Sequence, residues 1–101
     1  MVKRIGALAM VIFLLSFFSI SLSGCFYDKA MKEMKAAERS LSDLKAQGGE
    51  KLVPYEYCSA EKLLENAKME ANESDWTHAR DFAARSKAAS EAGLAQIQKK
   101  K

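Results

Sequence analysis

The alternation of polar and apolar positions changes rhythm once along this chain. From Ile5 to Ile20 the residues are apolar, interrupted only by Gly6, Ser16 and Ser19. Beyond residue 26 the apolar positions return every three or four residues, the spacing of one buried helix face. Tyr27, Ala30 or Met31, Met34, Ala37, Leu41 and Leu44 make a first stripe, which predicts a helix over 28–46 with Asp28 as its N-cap. Gln47-Gly48-Gly49 ends it, because glycine accepts the left-handed conformation that follows a helix C-cap. A short loop, 50–53, leads to Pro54, whose missing N–H suits a first helical position and whose ring keeps Val53 extended. Tyr57, Ala60, Leu64, Ala67 and Ala71 then share one face of a second helix, 54–72. Asn72-Glu73-Ser74-Asp75 breaks the run and offers two N-cap side chains for a third helix over 75–98. That helix carries Trp76, Ala79, Phe82, Ala83, Ser86, Ala89, Gly93 and Ile97 along one side. No segment alternates as a half-buried strand does. The predicted fold is all-α: a small antiparallel three-helix bundle or helical hairpin, preceded by a hydrophobic leader helix.

The leader changes the picture most. Met1-Val2-Lys3-Arg4 is a short cationic start, and with the apolar run behind it the segment 1–24 reads as a secretory signal. Read as an uncleaved anchor, the stretch from Ile5 to Leu22 is just long enough to span about 30 Å of hydrocarbon. Leu22-Ser23-Gly24-Cys25 decides between the two, because it resembles the lipobox of bacterial lipoproteins: an aliphatic residue, two small ones, then the modified cysteine. The resemblance implies cleavage between Gly24 and Cys25, a diacylglyceryl group on the Cys25 thiol and an acyl chain on its new amine. Each buried methylene contributes roughly 0.8 kcal/mol, so one chain holds weakly and two or three hold firmly. Residues 25–27 are then anchor and linker. Phe26 and Tyr27 either help seat the anchor at the interface, where amphipathic aromatics collect, or merely begin the first helix. Position 26 is not the Asp that marks inner-membrane retention in enteric bacteria, which implies the periplasmic face of the outer membrane.

Charge excludes more than it suggests. Of 16 basic side chains, Lys3 and Arg4 leave with the leader, so 14 face 13 acidic ones in the mature chain. Three of those 14 are the terminal Lys99, Lys100 and Lys101, a basic tail, and the body is therefore slightly acidic. That argues against a nucleic-acid surface. One His and two Cys do not assemble a tetrahedral metal site on their own, and no cofactor beyond the covalent lipid at Cys25 is expected.

The middle of the chain carries a second resemblance. Val53-Pro54-Tyr55-Glu56-Tyr57, Ser59-Ala60-Glu61, Leu64, Ala67-Lys68 and Ser74-Asp75-Trp76 with Ala79 resemble a family of short bacterial envelope lipoproteins catalogued as a domain of unknown function. The likeness covers roughly 36–97. It departs at Gly48-Gly49, where the family turns on Gly-Ala, and at Val53, where it has alanine before the proline. In that family the domain stands alone behind a lipobox or ahead of an OmpA-type peptidoglycan-binding domain; no such domain follows here, so that route to peptidoglycan is not carried over.

Individual residues add few chemical options. With Cys25 lipidated, Cys58 is the odd thiol; it aligns with Lys62, Glu65 and Met69 rather than with the buried stripe, so it is either a candidate for a disulfide between chains or a small residue covered by the first helix. No catalytic group is marked: His78 is the only histidine, no third residue orients it, and the acidic residues lie scattered among lysines. His78 reads as a solvated or helix-packing residue, and Trp76 as the anchor of the turn between the last two helices. Asn72-Glu73-Ser74 matches a glycosylation sequon that has no meaning in a bacterial lipoprotein. A lysine tail suits a helix C-terminus. It also resembles the murein lipoproteins, in which the C-terminal lysine, here Lys101, is joined covalently to peptidoglycan; Pro54 and Gly48-Gly49 argue against their single long helix. The expectation is a non-enzymatic, lipid-anchored envelope protein with a structural or assembly role, its partners being membrane lipid and a second copy or an envelope protein. The alternative is a small tether to peptidoglycan.

Overall fold

The computed structural model describes the backbone of residues 2–101 and the side chains of 7–15 and 26–101. Four helices follow one another: α1 Val2–Ala46, α2 Gly49–Leu52, α3 Pro54–Asn72 and α4 Trp76–Lys100. Among the described residues there is no strand, so the all-α expectation holds. The boundaries of α3 fall where the periodicity put them, and those of α4 within two residues.

Two expectations are corrected. Asp28 is not an N-cap, because α1 passes through it unbroken and leader and first bundle helix are one element. Helix growth adds a hydrogen bond for each residue fixed, and between Ile20 and Asp28 the strongest opposition is Gly24, at about 1 kcal/mol. The loop 50–53 is also not a loop: its residues belong mostly to the single turn α2. Gly48 caps that turn at φ 80°, its carbonyl accepting from the N–H groups of Lys51 and Leu52 at 3.1 and 3.0 Å. Gly49 is buried against α1, and a Cβ there would lie 2.7 Å from the carbonyl oxygen of Leu44. One glycine supplies the backbone angle and the other the close approach. A smaller difference is that Lys99 and Lys100 continue α4 rather than forming a separate tail.

The turn between α3 and α4 is compact. Ser74 takes the left-handed conformation at φ 61°. The N–H of Asp75 reaches the carbonyl of Glu70 at 2.9 Å and that of Ser74 the carbonyl of Ala71 at 3.0 Å, the paired bonds of a Schellman ending. Asp75 then caps α4, its Oδ1 accepting from the N–H of His78 at 3.2 Å.

Helix α4 is the middle member of the bundle, packed along both α1 and α3, while α1 and α3 meet over a shorter stretch. Ala30, Met34, Ala37, Leu64, Ala67, Ala79 and Ala83 form one buried cluster, with Trp76 and Phe82 against its flank. Leu44, Val53, Tyr57 and Ile97 form a second cluster at the α2 end, and Leu41 packs against both. The packing of α3 and α4 is built from small side chains: Ala60, Ala67, Ala79, Ala83, Ser86, Ser90 and Gly93 are all buried. Within it Ser86 Oγ donates to the carbonyl of Ala60 at 2.7 Å. Ser90 Oγ is buried with no hydrogen-bond partner.

Candidate functional site

The bundle has two unlike ends, and the sequence-predicted residues divide between them. At one end Phe26 and Tyr27 leave the apolar part of α1, α3 finishes and α4 begins. The Trp76 ring stands edge-on to Tyr27, centroids 4.8 Å apart and planes at 88°. Trp76 is half-buried against the alanine-rich cluster, as expected of an anchor for this turn. Phe26 and Tyr27 remain 45% and 43% exposed. The far end gathers Gly48, α2, the start of α3 and the last turn of α4. There Lys100 Nζ donates to the carbonyl of Leu52 at 3.5 Å, and Gln96 Nε2 donates to Glu56 Oε1 at 2.7 Å. Lys101 is exposed at this end.

His78 has a more defined setting than the sequence suggested. Its Nδ1 lies 2.7 Å from Asp75 Oδ2, so the capping carboxylate holds both the backbone and the ring of the same residue. The hydrogen bond to Asp75, with the charge of Asp75 second, raises the His78 pKa above its ordinary value. The same side-chain bond, aided by the backbone bond, lowers the Asp75 pKa. Ligand atoms of Glu70, Asp75 and His78 lie within 4.8 Å of one another, the one such group among the described residues. Sequence reasoning missed this grouping, since Glu70 belongs to α3 and meets His78 only through the turn. Chemically it is a helix cap with two carboxylates around one imidazole; Glu70 and Asp75 are half-buried, His78 is exposed, and together they supply three of the four ligands that a structural zinc site requires.

Cys58 is exposed, so the reading of it as a small residue covered by the first helix does not hold. It borders a groove of about 380 Å³ between α1 and α3, floored by Leu41 and Leu64 and rimmed by Glu61, Lys62, Glu65 and Lys68. No histidine lies in that groove. Asp81 and Arg85 form an i,i+4 ion pair at 3.4 Å. Asp28 and Lys32 are not among the ion pairs of the described residues. Lys68 instead reaches from α3 to Glu38 of α1 at 3.5 Å.

Leu22, Ser23, Gly24 and Cys25 lie outside the residues whose side chains are described. On the described part of α1 ahead of them, Leu8, Met10, Val11, Ile12, Phe13, Leu14 and Leu15 are exposed, Phe13 to 70%. Among the described residues no helix is long and apolar enough to cross a membrane. Comparison of the chain with protein-family models, with curated proteins and with solved structures finds no match.

Proposed function

We propose that this chain is the precursor of a bacterial envelope lipoprotein, cut before Cys25 and held at the periplasmic face of the outer membrane by lipid on that cysteine, with a non-catalytic helical bundle serving an envelope structure or assembly. The observation that carries this reading is the apolar part of α1. Its side chains from Leu8 to Leu15 are exposed while the bundle behind it closes its own core. A helix apolar on every side does not persist in water; it belongs in lipid, in a translocation channel, or removed. Lys3-Arg4 before it and Leu22-Ser23-Gly24-Cys25 after it favour export followed by removal.

The reading of the bundle as non-catalytic rests on its polar groups. Asp75 and His78 cap α4, Ser86 bonds α4 to α3, Ser90 is buried in the packing of α4, and the ion pairs are exposed. Metabolic labelling with palmitate tests the anchor. The wild-type chain should incorporate label and Cys25→Ala should not; equal labelling would remove the basis of the reading.

One observation favours the alternative of a peptidoglycan tether. Lys101 lies at the end of the bundle opposite Phe26, and the 25 residues of α4 at 1.5 Å each carry it about 37 Å away from the lipid end. Muramidase digestion of purified sacculi should release the protein with attached muropeptide if Lys101 is linked. A Lys101→Arg chain should then be lost from the sacculus fraction.

A further inference from the structure

We propose that the α3–α4 turn is a membrane-seating surface. On this account Trp76, Tyr27 and Phe26 enter the headgroup layer of a bilayer with zwitterionic headgroups, and the bundle stands upright on it. The inference rests on the lipid-anchored reading and adds an orientation and a second contact to it.

The three aromatics come from two distant parts of the sequence and meet at one end of the molecule. Trp76 is fixed by its edge-on contact with Tyr27 at 4.8 Å and by the apolar cluster beneath it. Phe26 and Tyr27 keep nearly half of their surface outside the core. Phe26 and Trp76 border one depression with Glu73, Ser74, Asp75 and Thr77. Amphipathic rings ringed by hydrogen-bonding groups match the water–hydrocarbon boundary, where Trp and Tyr collect in membrane proteins.

Position names the occupant. Phe26 follows Cys25 directly, and the same helix carries the exposed apolar side chains of residues 8–15. Attachment at or before residue 25 therefore holds this end within a few residues of the bilayer, at about 1.5 Å per residue. Charge selects the headgroup. The turn carries the exposed Glu73 together with Glu70 and Asp75 against the one imidazole of His78, which is paired to Asp75. This net negative group suits the ammonium of ethanolamine or choline heads and opposes anionic lipid. The basic residues Lys45, Lys51, Lys99, Lys100 and Lys101 gather at the opposite end, which an upright bundle holds away from the surface. A bundle lying flat would instead bring those lysines to the membrane and prefer anionic lipid.

Trp76 is the sole tryptophan, so its emission reports the seat. The native acylated protein is placed in phosphatidylcholine–phosphatidylethanolamine vesicles, unlabelled or brominated near the headgroup end of one acyl chain. Brominated lipid should quench Trp76 about twofold or more, as expected of an indole at the interface. A doubly substituted chain, Trp76→Phe with Tyr55→Trp, moves the reporter to a site that is 78% exposed on α3 near the far end and should show little quenching. Circular dichroism checks that this variant keeps its helices. Vesicle flotation with Trp76 unquenched would overturn the seat while leaving the anchor intact, and quenching of both reporters would replace the upright bundle with a flat one. Failure of the acylated chain to float would instead defeat the anchor on which the proposal rests.

Discussion

At the scale of single residues, the buried face of α4 contrasts two serines one turn apart. Ser86 gives its hydroxyl to the carbonyl of Ala60, and Ser90 buries its hydroxyl with no partner. A buried hydroxyl without a hydrogen bond costs roughly 1–3 kcal/mol. Ser90→Ala is therefore expected to raise stability by about 1 kcal/mol, and Ser86→Ala to lower it by a similar amount; urea midpoints measured on the two variants check both signs. Ser74 offers a further test. Its left-handed backbone costs a non-glycine residue about 1 kcal/mol, so Ser74→Gly should stabilise the turn by up to that amount. The cap pair makes stability depend on pH in two directions. The lowered Asp75 pKa gives a contribution fully present above its ordinary 3.8, lost as pH falls through the lowered value. The raised His78 pKa gives one fully present below 6.5, lost as pH rises through the raised value. Both act together between those limits. His78→Ala should flatten the alkaline limb of a melting-temperature profile and leave part of the acid limb, because Asp75 still caps the backbone N–H of residue 78.

At the scale of elements, the sequence was most legible where one residue type has one structural use. Pro54 began α3, and the spacing of Tyr57, Ala60, Leu64 and Ala67 located its buried face. On α4 the spacing found Ala79, Ala83, Ser86, Gly93 and Ile97 but named Ala89, which is half-buried, where Ser90 is the buried residue. The sequence was silent where a boundary depends on cooperativity or on contact across the fold. Asp28 is a good capping residue in isolation, yet nothing before it stops α1, so the helix continues through it. The turn α2 forms because Gly49 fits beneath Leu44, a fact of packing that no local pattern announces. Likewise the meeting of Glu70, Asp75 and His78 needs the left-handed turn at Ser74 to be known first. Gly49→Ala is accordingly expected to cost about 2 kcal/mol or more, the range of overpacked sites. Thermal melts should show it as a much larger loss than an alanine placed at the exposed Asn66 of α3.

At the scale of the whole molecule, a bundle cored largely by alanine is asked to be stable on modest apolar burial. Domains of this size gain from an added constraint, whether lipid, a partner or a covalent link. The two ends supply opposite chemistry for such constraints: aromatic and acidic beside Cys25, cationic around Lys101. On the proposed reading this polarity unites the anchor, the seated turn and the reach of the far end in one arrangement. All of them depend on the modification of a single cysteine. The most direct test is the intact mass of the protein purified from bacterial membranes without proteolysis. The account predicts a chain that begins at Cys25 and carries the mass of a diacylglyceryl group and an acyl chain. A chain that still begins at Met1 with no added acyl mass would contradict it.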